Sequence, residues 1–127
     1  MPMDVHVYIG VTDLEHGIAF YTQGLGLRLR RRLRPNWVEL EGASVPVFLL
    51  VSNRPQDFAG PWTVHLDFVT DDLDAAVQQA QDAGAVLERP LQEREWGRMA
   101  NMTDPFGNSF DLIEFAPGGY DNITQTP

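Results

Sequence analysis

The chain contains no cysteine. Disulfides, thiolate metal ligands and a cysteine nucleophile are therefore excluded. Positive charge is scarce: 9 Lys and Arg stand against 18 Asp and Glu, for a net charge of −9 and a pI of about 4.5. Nucleic acids and anionic membranes want a basic face, so neither partner is expected. No apolar run approaches the roughly 20 residues of a membrane helix. The start, MPMDVHVYIG, lacks a basic stretch followed by an apolar one, so no signal peptide is read there and a cytoplasmic protein is expected.

What is present is ordinary for a globular chain. The 127 residues are 43% hydrophobic and 21% charged, which favours a single domain over 1–127 with a modest core. Residues 4–11 read as a strand, with Val5, Val7, Ile9 and Val11 on one face and His6, Tyr8 and Gly10 on the other. Thr12 then starts a helix, with Glu15 three residues on as a capping box, and Gly24 and Gly26 end it. Residues 27–33 read as a strand with Leu27, Leu29, Leu33 and Arg31 on one face and arginines on the other. Strands are also expected over 37–41 and 45–51, where Pro46 suits an edge or a first residue. The loop 52–61 is the candidate link between two halves.

The pattern then begins again. Val64, Leu66 and Phe68 alternate with His65 and Asp67, Asp71 caps a helix, and Gly84 ends it. A short strand over 86–88, a polar loop over 90–97 and a strand over 98–103 follow. Asp104-Pro105-Phe106-Gly107 reads as a tight turn, and 108–115 as the last strand. The Gly-rich tail from Pro117 is expected to cover the surface or fray. Laid over each other, VHVYIGVTDL and VHLDFVTDDL place His6, Asp13 and Leu14 at His65, Asp72 and Leu73, each 59 residues on. Such a repeat dictates architecture. It predicts an α+β fold of two βαβββ modules, about 4–52 and 62–116, related by a pseudo-two-fold axis.

His6, His65 and Asp111 each fall mid-strand on the polar side of an alternating stretch. Pseudo-symmetry would bring the two histidines to one pocket, and Asp111, between Phe110 and Leu112, faces the same way. The three are expected to hold one divalent metal ion; manganese, iron, cobalt, nickel and zinc all suit such donors.

On VHVYIGVTDLEHGIAFYTQGLGLRL and DPFGNSFDLIEF, the chain resembles the vicinal-oxygen-chelate superfamily, which includes glyoxalase I, bleomycin-resistance proteins, extradiol dioxygenases and fosfomycin-resistance enzymes. The resemblance runs over roughly 5–115. It implies a curled mixed sheet around a pocket, a small-molecule substrate and a homodimer. It also implies metal ligands at four strand positions, matched here by His6, Leu49, His65 and Asp111. Leu49 cannot ligate, which argues against glyoxalase I. Two histidines and a carboxylate remain, as in extradiol dioxygenases and fosfomycin thiol transferases, with aspartate where those carry glutamate.

Tyr8 and Asp67, two residues beyond each histidine, are candidates for substrate contact or for supporting the metal ligands. Glu39 is a third catalytic candidate, with surface exposure as its expected fate. Arg31 is a candidate for an anionic substrate group. Trp37, Trp62 and Trp96 are candidates for an aromatic wall, and Leu49 for the pocket lining. His16 is expected on the surface. Two functions fit: a metal-dependent enzyme acting on a small oxygen-chelating substrate, or a metal-free protein that sequesters a small aromatic or hydrophobic compound.

Overall fold

The computed structural model describes residues 4–51 and 65–124. The 59-residue repeat appears in it as two halves, the first βαβββ and the second the same with one added short strand. The first runs β1 (Val7–Val11), α1 (Leu14–Ala19) continued by a π-helical turn (Phe20–Gly24), β2 (Arg28–Arg34), β3 (Trp37–Glu41) and β4 (Val47–Val51). The second runs β5 (Leu66–Val69), α2 (Leu73–Asp82), β6 (Val86–Leu87), β7 (Gln92–Arg94), β8 (Gly97–Thr103) and β9 (Ser109–Phe115), with a closing 3-10 helix (Gly119–Ile123). The sheet orders are β1-β4-β3-β2 and β5-β9-β8-β6, with β7 also on β8. In each, the first and last strands pair in parallel and the other pairs are antiparallel.

Both helices start one residue later than expected. Asp13, not Thr12, caps α1, its carboxylate accepting the His16 amide at 2.9 Å. Asp72, not Asp71, caps α2, accepting the Ala75 amide at 3.1 Å. Leu14 and Leu73 are buried and must be the first helical residues, so the cap directly precedes each. Glu15 closes no capping box; Arg32 holds it through two hydrogen bonds. Gly26 and Gly84 follow the two helical segments at φ +74° and +114°, a conformation that glycine adopts without strain.

Alternation fails in β2. Register shifts between Leu29 and Arg31 and between Arg32 and Arg34 break its period, and the strand is exposed almost throughout. Leu27 is buried, but just before the strand. Pro46 precedes β4, which is a central strand, and its carbonyl accepts the Val7 amide at 3.1 Å. Residues 90–97 include β7, and the tail carries the 3-10 helix, whose Tyr120 packs on Trp96 and Phe115. The link at 52–61 and Trp62 lie outside the described residues.

Side chains from both halves form one core. Ile9, Val11, Val38, Leu40, Val47 and Leu49 from the first sheet join Ala100, Met102, Phe110 and Leu112 from the second, with Leu14, Phe20, Leu73 and Val77 from the helices. Asp104 ties the halves. It is buried, and its carboxylate accepts the Tyr21 hydroxyl at 2.5 Å and the Phe106 and Asn108 amides at 2.8 Å each. The Asn108 side chain donates to Asp104 and also across to the Gly10 carbonyl, at 2.9 Å each.

Two open sheets stand where one curled wall was expected. Among the described residues, strands β1 and β5 are not paired to each other, and each is the edge of its own sheet. Each sheet turns one face to the core, and among the described residues the other face holds exposed Tyr8 and Asp67 beside buried Phe48, Glu39 and Ile113. No helix among the described residues is long and apolar enough to cross a membrane.

Candidate functional site

Strand parity decides what the open face of the second sheet carries. Leu66 and Phe68 pack on the core, so Asp67 between them points away. Phe110 and Leu112 are buried, so Asp111 between them points away too. The register places Asp67 directly opposite Asp111 on adjacent parallel strands. Like charges set so close repel unless a cation or a proton lies between them. His65, just before β5, is positioned to meet them: its Nε2 is 2.9 Å from Asp67 Oδ1 and 3.5 Å from Asp111 Oδ2.

Among the described residues, these are the one group of three ligand-type side chains whose donor atoms lie within 4.8 Å of one another. Asp111 is the most sheltered of them and is oriented by an amide relay. The Asn101 side-chain amide donates to Asp111 Oδ1 at 2.8 Å, and the Gln92 amide donates to Asn101. Burial, joined by the Asp111 charge, holds the Asp67 carboxyl above the usual aspartate range, and His65 pulls against that rise.

The first sheet carries a different row at equivalent positions. Tyr8, Phe48, Glu39 and Arg31 lie opposite one another across its four strands. Tyr8 stacks on Phe48 at 4.8 Å and 11°. Trp37 lies 6.4 Å from both rings, and the His6 ring lies 5.1 Å from Phe48. Glu39, expected at the surface, is only 3% exposed. The bulge in β2 lets two guanidinium groups reach it: Arg31 at 2.7 Å and Arg30 at 2.8 Å. These bonds, Arg31's first, hold its carboxyl below the usual glutamate range.

The residues singled out in the sequence thus divide. His65, Asp67 and Asp111 come together, while His6 stands on the first sheet, exposed and outside the group. The histidines lie immediately before β1 and β5, not mid-strand. Tyr8, Trp37, Glu39 and Arg31 share the open face of the first sheet. Leu49 does not line a pocket: it is 0% exposed, in the core beside Gly17. The residue facing Tyr8, as Asp111 faces Asp67, is Phe48. By this register the first-half counterpart of Asp111 is Phe48, one position before Leu49. Trp96 packs with Phe115 and Tyr120 beside the tail. His16 is exposed, as expected, with its ring edge-on to Phe106. Asn101 and Gln92 were not anticipated. A polar residue between Ala100 and Met102, both buried, marks Asn101, but nothing local marks Gln92.

The comparisons agree with this fold. Residues 6–113 match the family model described as a glyoxalase-like domain. An uncharacterised protein of Shewanella frigidimarina is 28% identical over 123 residues, covering 87% of this chain and 91% of its own. A glyoxylase/bleomycin resistance protein/dioxygenase domain from Frankia shares the fold with a TM-score of 0.77 at 20% identity, covering 98% of this chain and 99% of that one. So does a fosfomycin resistance protein from Mesorhizobium loti, with a TM-score of 0.72 at 20% identity over 91% of this chain and 94% of that one. With the two repeated modules, the paired sheets and a match spanning both of them, the chain belongs to the glyoxalase-like domain family.

Proposed function

We propose that the protein is a divalent-metal-dependent enzyme acting on a small substrate that offers two adjacent oxygens. The observation that carries this reading is the convergence of His65, Asp67 and Asp111 within 4.8 Å. An imidazole nitrogen and two carboxylates are a donor set suited to manganese, iron, cobalt, nickel or zinc. When bound, the ion supplies Lewis acidity to the chelated oxygens. Asn101 and Gln92 hold one oxygen of Asp111 and leave the other turned toward His65.

His6 belongs to this site through a second copy of the chain. Among the described residues, strands β1 and β5 are edges, and Val5, Tyr8 and Val69 beside or on them are exposed. A partner laying its β1 along β5 would cover these apolar groups and bring its own His6 toward His65 and Asp111. A homodimer is therefore part of the proposal, as is a cytoplasmic location. Tyr8, Trp37 and Arg31 form the substrate wall, and Glu39, neutralised by two arginines, supports that wall and is not the general base. Lactoylglutathione lyase activity is not proposed, because Phe48 puts an apolar ring, and no carboxylate, at the first-half position equivalent to Asp111.

One observation favours a second reading. The stacked Tyr8 and Phe48 rings with Trp37 also suit a metal-free protein that sequesters an aromatic compound. Elemental analysis of protein purified without a histidine tag separates the two. About one transition-metal equivalent per chain supports the enzyme, and metal-free protein that binds aromatic ligands supports sequestration.

A further inference from the structure

Four arginines and two glutamates meet on one side of the β2–β3 ribbon. Arg28, Arg31 and Arg34 stand opposite Glu41, Glu39 and Trp37, and Arg30 joins Arg31 on Glu39. This side carries two positive charges more than it neutralises (four minus two) in a chain whose net charge is −9. The surplus is centred on Glu39, where two guanidinium groups share one carboxylate. Arg31 spends its Nε on Glu39, and its side chain is 57% exposed, so the rest of its fork faces solvent. One strand away, Glu39 stands opposite Phe48, and Phe48 underlies the half-exposed ring of Tyr8. The aromatic platform and the Arg31 fork, whose terminal nitrogens have no hydrogen-bond partner among the described residues, thus lie in one row across the four strands.

We infer that this row binds a flat aromatic ring carrying a carboxylate, the ring against Tyr8 and Trp37 and the carboxylate on Arg31. The guanidinium fork matches a carboxylate in two parallel hydrogen bonds, and ring faces favour stacking over aliphatic contact. A neutral ring leaves the fork unpaired, and an aliphatic acid leaves the platform bare. A cationic ring meets the surplus positive charge. The inference rests on the same substrate wall proposed above, but it needs no metal ion.

The test uses the full chain stripped of metal and isotope-labelled, titrated with naphthoate, naphthylmethanol and cyclohexanecarboxylate while amide, indole and arginine signals are followed. Naphthoate is expected to bind about tenfold tighter than either analogue and to shift the Trp37 indole and Arg31 Nε signals. Arg31→Gln should erase the advantage over naphthylmethanol, and His65→Ala should leave it intact. Equal affinity for naphthoate and naphthylmethanol in the parent protein would overturn the inference, whatever the variants do. So would shifts confined to residues other than Tyr8, Trp37, Phe48 and Arg31. Loss of naphthoate binding in His65→Ala would place the carboxylate at the metal donors instead and also overturn it. Because no metal is present, failure here leaves the metal-centre proposal standing, and metal-free protein that binds naphthoate as described leaves this inference standing without it.

Discussion

Phe48 stands opposite Tyr8 in the first sheet as Asp111 stands opposite Asp67 in the second. One pair is two stacked rings and the other two adjacent carboxylates. The repeat has kept the backbone and divided the side chains: an imidazole and two carboxylates in one half, stacked rings in the other. The proposed homodimer would set one half's face beside the partner's other half and unite them.

That arrangement predicts the oligomeric state. Light scattering at micromolar concentration should report about twice the 14.3 kDa chain mass. Replacing Val69, which is 62% exposed on the β5 edge, by Lys should shift the protein toward monomer and weaken metal binding with it. A parent protein that is monomeric would count against His6 acting from a second copy.

The buried Tyr21–Asp104 contact predicts alkaline sensitivity. Burial, with the Asp104 charge and hydrogen bond adding to it, pushes the Tyr21 hydroxyl far above its ordinary range. A raised folded-state pKa means its contribution is complete below the unfolded tyrosine value of about 10 and is lost as pH rises beyond it. Tyr21→Phe should cost about 1–3 kcal/mol near neutrality, since Asp104 loses a donor. Urea titrations should show the parent losing stability above about pH 10 and the variant losing less.

Glu39 predicts the opposite behaviour in acid. Its carboxyl is held below the ordinary range by Arg31 and Arg30. Its contribution is therefore present above the unfolded glutamate value and is lost as pH falls through the lower folded one. Thermal melts between about pH 5 and pH 3 should fall more steeply for the parent than for Glu39→Gln.

Much of this was legible in the sequence. The repeat, both helices and most of the strands follow from alternation and from glycine and aspartate punctuation, because burial on one face of each sheet enforces period two. Asp111 and His65 were legible for the same reason. Three features were not. The bulges in β2 add residues to a strand without changing its composition, so the pairing of Arg30 and Arg31 on a buried Glu39 had no sequence signal. Leu49 and Phe48 are both apolar, and only the pairing register tells which faces Tyr8. His6 shows its limit in another way: the repeat fixes its position within a module but not which module, its own or a partner's, lies beside it.

The chain should not be a glyoxalase I. The position equivalent to Asp111 in the first half is Phe48, so that position offers an apolar ring where a glyoxalase I would carry a metal-binding carboxylate. Turnover of the methylglyoxal–glutathione adduct should stay at background with manganese, iron, cobalt, nickel or zinc supplied. Efficient turnover with any of them would refute this.

The central claim is that His65, Asp111 and Asp67 hold a metal ion, and calorimetric titration of metal-stripped protein with each of the five ions tests it most directly. At least one ion should bind with micromolar or tighter affinity and about one per chain. Asp111→Ala and His65→Ala should each weaken it by about a hundredfold, in keeping with the loss of a direct ligand, and His16→Ala should leave it unchanged. Binding no tighter than millimolar by every ion, or a His65→Ala protein that binds as well as the parent, would contradict the account.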